Sequence, residues 1–547
     1  MFRALKDYPI RSILLLLFLG LTLLSIFSYL LARTAMFLLM DYRWYEKSLA
    51  FFLLLAESFI LVHGFGYFIN LFHILTAKKT VEKRVRREAA LTAFPPVAIV
   101  VASYREPLEV VENTLTCFYN LTYPNKRLYF LDDTRYDLPG QDPGELLAYR
   151  EKIDALCRYL NVDVFRRRWH GAKAGLINDF LDFISGNPRE GSSLLEFSGL
   201  DRSEREKYLC IFDADMNPLP GFVEPLVAMM EERPKMAFIQ TPQYYSNFEA
   251  NRVAHASGLQ QAVFYEYICE GKSLGDAMFC CGTNVMFRVD ALLDVGKFDE
   301  TSVTEDFATS LKFHRRGWSS AYRSFVCTFG MGPEDLGGYF KQQFRWALGT
   351  VGLFRQILGE FVRNPGQMSL YKWWEYALSG THYFIGWALF TMIVCPILYL
   401  FLEVPSYFAW PGFYFLLFTP YILLSMTVFF WTLTRRNYRL RDAIRGQLLL
   451  AVTFPVYMKA SFLAMLGKRG SFQVTPKNGG HSLPLYELWP QLVLATLSLA
   501  AVVWGINRVY YEQTQVAAVL ANSFWCLYHS VVLFSVLYFN DPENLTE

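Results

Sequence analysis

Two aspartates that follow a short apolar run are the residues in this sequence whose types and spacing most directly suggest chemistry. Residues 209–212 (LCIF) predict a buried strand, and Asp213 and Asp215 come where that strand runs out into a loop broken by prolines. Two carboxylates at positions i and i+2 can hold a hard divalent cation, Mg²⁺ or alternatively Mn²⁺, which shares its oxygen ligands with substrate phosphates. An acidic turn after a core strand has the same pattern, so the pair alone leaves both interpretations open.

A second acidic pair ends another predicted strand. Residues 128–131 (LYFL) form an apolar run, and Asp132 and Asp133 follow it directly. Apolar, β-branched runs alternate with helical patterns from residue 97 onward, which predicts an α/β fold with a doubly wound, mostly parallel sheet. Because ligands bind just beyond the carboxyl ends of the strands in such sheets, we expect the two acidic pairs to converge on one crevice.

A third acidic pair, Glu305 and Asp306, precedes an apolar-periodic helical pattern at residues 307–314, with Thr304 as the predicted N-cap. A carboxylate near the positive end of a helix is favoured in its ionised form. Acidic residues also commonly occupy a first helical turn without a further role, and this interpretation stays open here. The other elements predicted for this domain are strands at 97–102, 162–167 and 237–243, a strand beginning within 279–288, helices at 107–119, 143–160, 176–184 and 339–356, and a surface loop at 186–207.

The composition predicts a membrane protein that carries one soluble domain. Of the 547 residues, 53% are hydrophobic, 17% aromatic and only 19% charged. The apolar residues are concentrated on both sides of residues 77–350, whose composition is that of a soluble protein. A formal net charge of +2 argues against a nucleic-acid partner. Nine cysteines without CxxC pairs predict reduced thiols rather than a disulfide framework or a zinc knuckle.

Six spans are predicted, two before the domain and four after it, and the lipid bilayer is therefore a partner. Six basic residues between 78 and 87 place the following domain in the cytoplasm by the positive-inside rule. Residues 446–466 are apolar but contain Pro455 and Lys459, so they predict a helix on the cytoplasmic interface rather than a seventh span. The predicted spans lie at about 12–31, 49–75, 376–402, 407–432, 486–506 and 516–539.

The ordered motifs together resemble a membrane-integrated family 2 glycosyltransferase of the cellulose synthase (catalytic subunit) type. The pieces that carry the resemblance, in chain order, are SYREP (103–107), the acidic pair 132–133, HGAKAG (170–175), DAD (213–215), FCCGT (279–283), TED (304–306), QQFRW (342–346) and FQVTPK (472–477). The resemblance covers residues 95–480 and implies a GT-A-like catalytic domain on the cytoplasmic face of a multi-pass plasma (inner) membrane protein. It divides the chain into two spans and a basic linker (1–90), the transferase domain (91–338), amphipathic interface helices with QQFRW (339–375) and the last four spans (376–547).

The resemblance also implies roles for individual residues. Asp306 would be the general base, and the diphosphate of the donor would be bound by Asp213 and Asp215 through the metal ion. A loop at 470–482 would close over the bound nucleotide. The residues implied for nucleotide and donor binding are Tyr104, Glu106, Asp132, Lys173, Asp213, Asp215, Gln342 and Arg345; those for the acceptor are Cys281, Glu305 and Trp346; and those of the gating loop are Phe472, Thr475 and Lys477.

The function implied is a processive, inverting transferase that polymerises a β-linked, cellulose-like glucan from UDP-glucose and secretes it. The partners would be a UDP-sugar donor and the growing polysaccharide, while an accessory secretion subunit or regulator is not identifiable from the sequence. One alternative is a related enzyme that uses another UDP-sugar, makes a chitin-, hyaluronan- or curdlan-like linkage, or adds single residues. A second alternative is a membrane scaffold with a degenerate domain, against which the intact acidic motifs argue.

Two substitutions within the motifs leave the identity of the sugar open. Thr134 follows the acidic pair where cellulose synthases usually have glycine, and Cys280 replaces the second phenylalanine of the usual FFCG. We further expect the chain to lack the cyclic-di-GMP-binding C-terminal domain of bacterial cellulose synthases.

Overall fold

The fold is given by a computed structural model that describes residues 8–85, 91, 93–136, 143–325, 327–407, 411–468, 480–512 and 515–541. The predicted gating-loop residues Phe472, Thr475 and Lys477 lie outside these residues. The strands are β1 (Val97–Ser103), β2 (Lys126–Asp132), β3 (Asp163–Arg166), β4 (Ser193–Leu195), β5 (Tyr208–Asp213), β6 (Asn217–Pro218), β7 (Met236–Gln240), β8 (Tyr244–Tyr245), β9 (Val285–Arg288), β10 (Ser319–Tyr322) and β11 (Thr328–Gly330).

Eight of these strands form the central sheet, in the order β10-β7-β9-β5-β1-β2-β3-β4. The pairs around β1 and β2 are parallel, whereas β9 is antiparallel to both β5 and β7, and β4 is antiparallel to β3. The sheet is thus a GT-A-like mixed sheet of mostly parallel strands, as predicted. The surface loop predicted at 186–207 was only partly correct, because it contributes β4 as an edge strand.

Helices cover both faces of the sheet, which is why its strands are continuous apolar runs. In β1, Val97, Ile99 and Val101 pack into a core with α3 and α4. The alternate residues Ala98 and Val100 pack on the opposite face, against α5. The helices of this domain are α3 (Leu108–Tyr119), α4 (Pro143–Tyr159), α5 (Ala172–Ile184), α6 (Val223–Glu232), α7 (Arg252–Val263), α8 (Glu270–Leu274), α9 (Val289–Asp294) and α10 (Glu305–Arg315), with a π-helical turn at Phe264–Cys269.

In the part of the chain that is described, six helices are long and apolar enough to cross a membrane, in agreement with the predicted number. Their apolar segments are Ile13–Leu39, Trp44–Thr76, Leu370–Leu402, Gly412–Arg435, Leu485–Tyr511 and Val516–Asn540. The helices of the membrane region and its interface are α1 (Tyr8–Leu39), α2 (Trp44–Val85), α11 (Leu336–Arg363), α12 (Leu370–Thr381), α13 (Ile385–Leu402), α14 (Pro411–Arg435), α15 (Leu440–Val452), α16 (Phe454–Met465), α17 (Trp489–Glu512) and α18 (Val516–Asn540).

The predicted interface helix at 446–466 is divided between α15 and α16. These two helices meet at an angle of 47° and would add a seventh span if they were counted as one. Pro455 lies in the first turn of α16. Since proline supplies no backbone N–H to the preceding helical turn, it accounts for the break. The position of this pair relative to the bilayer stays a prediction.

A buried ion pair joins the transferase domain to the membrane helices. The Lys272 ammonium of α8 donates to Glu375 Oε2 of α12 at 2.5 Å, and the two side chains are 3% and 1% exposed. Asn70 of α2 donates to the other carboxylate oxygen of Glu375 at 3.3 Å, and Ser379 Oγ accepts from Lys272 at 3.0 Å. Charges so deeply buried are stable only when they are paired and hydrogen-bonded, so this contact fixes α8 against α2 and α12.

We therefore predict that Lys272→Met destabilises the protein by about 3–5 kcal/mol, because it leaves the Glu375 carboxylate buried without its cation. The double variant Lys272→Met/Glu375→Leu should recover a large part of this loss, since both charges are then gone. Thermal unfolding of the detergent-purified variants measures the effect. A double variant that is no more stable than Lys272→Met alone would contradict this role of the pair.

Candidate active site

Three predicted donor-binding segments meet at one edge of the sheet because the strands that carry them pair in register. Ser103 at the end of β1 pairs with Asp132 at the end of β2, and Ala102 pairs with Asp213 at the end of β5. The segments that follow these strands carry Tyr104, Asp133 and Asp215 and thus begin at the same edge. These strand ends therefore lie side by side, and the space beyond their carboxyl ends, called the crevice below, is where a ligand is expected.

Lys173 of the HGAKAG motif reaches across this crevice to Asp213. Its ammonium donates to Asp213 Oδ1 at 2.5 Å and to the carbonyl oxygen of Gly282 at 2.9 Å. Burial opposes the charge on Lys173, but the negative charges of Asp213 and Glu305 outweigh it, so the pKa of Lys173 is raised. Lys173 lies in the first turn of α5, which begins four residues earlier than predicted. The lysine stays protonated and holds three segments of the site together.

Asp213 and Asp215 suit a hard cation whose remaining ligands come from the substrate. The Asp213 side chain is 44% exposed, and Asp215 is half-buried beside it. Within the described ranges no group of three histidine, cysteine or acidic side chains could hold a metal ion alone. Two carboxylates that leave coordination positions for water and phosphate are what Mg²⁺ commonly uses, so the donor set fits such an ion.

The acidic pair of TED opens α10 and faces the same crevice. Asp306 Oδ1 accepts a hydrogen bond from the backbone N–H of Phe307 at 2.7 Å. Burial and then the charge of Glu305 raise the pKa of Asp306 to about 7, although the Lys173 charge opposes this shift. Burial likewise raises the pKa of Glu305 against the opposing charges of Lys173 and Arg345. A carboxylate whose pKa lies near 7 is matched to work as a general base at neutral pH.

Thr304 occupies the N-cap position of α10, but its side chain makes no capping hydrogen bond to the helix. Its hydroxyl lies 3.3 Å from Ser302 Oγ instead. Thr304 is therefore the N-cap residue, as predicted, but its side chain does not bond to the first turn of the helix.

The FCCGT loop packs directly on the Asp306 carboxylate. Gly282 has φ +84°, and a Cβ at this position would lie 2.9 Å from Asp306 Oδ2. Both the left-handed backbone and the close approach therefore require glycine. Cys281 is half-buried, and its N–H donates to Gln240 Oε1 at 2.8 Å. Cys280 is buried in the core. The residue that replaces the usual phenylalanine therefore does not line the crevice.

Helix α11 brings QQFRW to the TED segment. A Cβ on Gly349 would lie 2.5 Å from Thr304 Cγ2, so the helix and the TED segment touch at that glycine. Arg345 lies one turn earlier, close enough for its positive charge to oppose the rise in the pKa of Glu305 that burial causes. Trp346 is half-buried, and Gln342 Oε1 is a buried acceptor with no hydrogen-bond partner among the described residues. An acceptor left unpaired in this way is costly unless a ligand donates to it.

Three of the residues predicted to bind the nucleotide differ in how accessible they are. Tyr104 and Glu106 are half-buried in the loop after β1. The Asp132 side chain is only 1% exposed, and it accepts hydrogen bonds from Arg166 Nε at 2.8 Å, the Tyr136 hydroxyl at 2.7 Å and the Thr134 N–H at 3.1 Å. Its carboxylate is thus engaged by protein groups on both oxygens, and the role predicted for it in binding the nucleotide stays a prediction.

Sequence reasoning missed a polar network beneath this part of the crevice. Arg167 donates to Asp133 Oδ1 at 3.0 Å and lies 3.4 Å from Asp179 Oδ2, which in turn is 2.8 Å from His170 Nε2. His170 also contacts Glu300 at 3.2 Å. His170 belongs to the HGAKAG motif, which was the only signal of this network in the sequence, because its partners are far apart along the chain.

Comparisons with known proteins agree with this site. Residues 98–296 match the model described as glycosyl transferase family 2, and residues 208–433 match the model described as glycosyl transferase family group 2. The chain is 26% identical over 507 residues to the cellulose synthase catalytic subunit (UDP-forming) of Pseudomonas fluorescens (strain SBW25), which covers 89% of this chain and 62% of that protein. It is 25% identical to putative cellulose synthase 2 of Komagataeibacter xylinus, over 90% of this chain and 30% of that protein.

A solved structure of a mannosyltransferase from Pyrobaculum calidifontis in complex with GDP-mannose and Mn²⁺ aligns with 76% of this chain and with all of that chain. The TM-score is 0.47 and the sequence identity 15%, a likeness below the level at which a shared fold follows.

The GT-A-like mixed sheet, the carboxylates at its edge and the two family matches make this domain similar to family 2 glycosyltransferases, within a multi-pass membrane protein. The chain is a homologue of cellulose synthase catalytic subunits, which confirms the resemblance seen in the sequence. It spans 62% of the length of the first of these relatives.

The raised pKa of Asp306 predicts an acid limb near pH 7 in the profile of kcat/KM for sugar transfer, because only the deprotonated carboxylate can accept a proton. Glu305→Gln removes a neighbouring negative charge, so the pKa of Asp306 should fall and the limb should move to lower pH. Asp290→Asn, the same change of charge at an exposed residue of α9, is the control and should leave the limb in place. A limb that does not move in Glu305→Gln would mean that another group titrates there.

Proposed function

We propose that this protein is a processive, inverting glycosyltransferase that polymerises a β-linked glucan from UDP-glucose and passes it across the plasma membrane. The observation that carries the proposal is the contact between α11 and the TED segment, where Gly349 meets Thr304. This contact brings the helix that carries QQFRW to the TED segment, and Arg345 on that helix is close enough to act on the pKa of Glu305. The same helix packs on α16 of the membrane region. In the proposal, the donor site, the base and the acceptor site therefore lie next to helices that are long and apolar enough to cross a bilayer.

In this proposal the donor nucleotide lies across the ends of β1, β2 and β5. Asp213 and Asp215 would hold a divalent cation, which when bound neutralises the charge that develops on the leaving diphosphate. Lys173 adds a fixed positive charge beside them and, through the Gly282 carbonyl, ties the donor side of the crevice to the loop that contacts Asp306. Support for this arrangement comes from the donor chemistry of the two aspartates and from their exposure at the strand end.

Asp306 is the proposed base that takes the proton of the acceptor hydroxyl as its oxygen attacks the anomeric carbon. A single direct displacement inverts that carbon, so an α-linked UDP-sugar gives a β-linked product. The pKa of about 7 lets Asp306 accept this proton at neutral pH and release it afterwards. Burial, which raises that pKa, also limits access of water that would hydrolyse the donor.

The acceptor end of the chain is proposed to lie along the first half of α11. The unpaired Gln342 Oε1 offers an acceptor for a sugar hydroxyl, and Arg345 suits phosphate or sugar oxygens. Trp346 offers a flat apolar surface for the C–H face of a sugar ring, and Cys281 and Glu305 complete this side of the crevice. The basic residues after the second span support a cytoplasmic position for the domain.

The proposal predicts that the purified full chain, incubated with single radiolabelled UDP-sugars and Mg²⁺, forms polymer from UDP-glucose. The linkage is then identified by digestion with linkage-specific hydrolases.

Asp306→Asn keeps the shape of the side chain but cannot accept the proton, so polymer formation should fall by about 10² or more while UDP binding is retained. If polymer forms only from another UDP-sugar, that sugar takes the place of UDP-glucose in the proposal. If the Asp306→Asn variant loses UDP binding but keeps turnover, Asp306 is not the base.

Removal of the divalent cation should abolish transfer and should be reversed by adding Mg²⁺ or Mn²⁺. Asp215→Asn should lower the rate of transfer by several powers of ten, because loss of a metal-held charge on the leaving group costs several kcal/mol of barrier. Unchanged thermal unfolding of the variant serves as the control for folding. Full activity in excess EDTA would show that no such ion is needed.

A further inference from the structure

One buried side chain that belongs to none of the motifs is hydrogen-bonded on both sides of the glycine in the FCCGT loop. Gln240, at the end of β7, is 0% exposed. Its Oε1 accepts the N–H of Cys281 at 2.8 Å, and its Nε2 donates to the carbonyl oxygen of Thr283 at 2.8 Å. These two backbone groups flank Gly282. One side-chain amide therefore holds both ends of the short segment that packs on Asp306.

The backbone of this loop needs such support because two of its residues have a left-handed conformation. Gly282 has φ +84° and Asn284 has φ +54°. The conformation of Asn284 carries a steric cost that neighbouring contacts have to offset. Its carbonyl oxygen accepts from the N–H of Thr241 at 3.1 Å and from the hydroxyl of the same residue at 2.8 Å. Gln240 Nε2 also donates to the Thr241 carbonyl at 2.9 Å, so the end of β7 fixes the conformation of the loop.

The segment that this amide holds contacts three of the groups proposed to take part in transfer. The carbonyl oxygen of Gly282 accepts from Lys173 at 2.9 Å, and the same glycine lies directly against the Asp306 carboxylate. The Thr283 hydroxyl accepts from the backbone N–H of Asp213 at 2.9 Å. Because the amide itself is fully buried, it acts on these groups only through the segment.

We propose that Gln240 is a positioning residue for sugar transfer, because its amide holds Gly282 against the base Asp306. A displacement of about 1 Å at a reacting group can lower a rate by about 10², so a loop that moves away from the base should slow transfer. An amide offers an acceptor and a donor side by side, which the Cys281 N–H and the Thr283 carbonyl require. The inference rests on the proposed function, since it takes Asp306 as the base.

The test replaces the amide by methionine and compares catalysis with donor binding in the detergent-purified full chain. Gln240→Met keeps the length of the side chain and removes the donor and the strong acceptor. With Mg²⁺ present, kcat for transfer from the UDP-sugar that the wild type uses should fall about tenfold or more. The affinity for UDP, measured by isothermal titration calorimetry, should stay within about threefold, because the Lys173–Asp213 ion pair does not depend on the loop.

The pH profile of the same variant separates positioning from a loss of stability. The loop covers one oxygen of Asp306, so its withdrawal gives water access to the carboxylate and lowers its pKa from about 7. The charge of Glu305, which raises this pKa, and that of Lys173, which lowers it, stay in place. The acid limb of kcat/KM should therefore move to lower pH in Gln240→Met. A variant that is only less stable would keep the limb of the wild type.

A conservative variant and a matched control complete the test. Burial keeps the acid of Gln240→Glu neutral near pH 7, and one of its oxygens then accepts while its hydroxyl donates, as the amide does. The kcat of this variant should lie about fivefold or more above that of Gln240→Met. The control is Gln491→Met, since Gln491 is also buried and donates to a backbone carbonyl, that of Val452, at 2.8 Å. It should change neither kcat nor the acid limb.

Two results for Gln240→Met would overturn the inference and leave the proposed function intact: a kcat within about threefold of the wild type, or a loss of UDP affinity as large as the loss of kcat. If Gln240→Met does not fold, Gln240→Glu decides. Its acid ionises above about pH 8 and then faces the Thr283 carbonyl, so kcat should fall on an alkaline limb that the wild type lacks. The absence of that limb would overturn the inference. A wild-type chain that transfers no sugar from any UDP-sugar would overturn the proposed function, and the inference with it.

Discussion

The ion pair between Lys173 and Asp213 is the interaction on which the rest of the site depends. Asp213, Glu305 and Asp306 bring three acidic groups to one partly buried crevice, where they would repel one another without a cation. Lys173 forms an ion pair with Asp213 and is close enough for the negative charges of Glu305 and Asp306 to act on it. Because its ammonium also donates to the Gly282 carbonyl, the same residue fixes the loop that packs on Asp306. One lysine thereby connects the end of β5 with the loop that contacts Asp306.

The membrane region holds the other half of the site in place. Helix α11 packs on one side against the TED segment and on the other against α16, where Val351 contacts a cluster with Tyr457 and Ala460. The Lys272–Glu375 pair ties α8 to α12. A shift of the membrane helices would therefore be transmitted to the QQFRW side chains, since α11 has close contacts on both sides and interiors packed in this way do not deform continuously.

Much of the fold could be predicted because its signals are local. The run at 97–102 is apolar on both faces, and this pattern is typical only of a strand that is covered on both sides. The direction of β9 and the edge strand β4 could not be predicted, since an isolated strand pattern does not show which neighbour it pairs with. Thr304 is the N-cap residue of α10 as predicted, but its hydroxyl lies 3.3 Å from Ser302 Oγ and makes no hydrogen bond to the helix, which its residue type alone does not show.

The sequence by itself determined the segregation of apolar residues into spans, the sheet-forming runs, the three acidic pairs and the motif order that matches cellulose synthases. These features follow from residue type and short spacing, which the chain keeps whatever its tertiary structure. Only the tertiary structure decided that Asp132 is covered while Asp133 is accessible, that Arg135 stacks on Trp169, and that Gly282 contacts Asp306. Each of these depends on distances between segments that are remote in sequence. Burial, the interaction between charges and the shift of a pKa follow from those distances and not from the residue types alone.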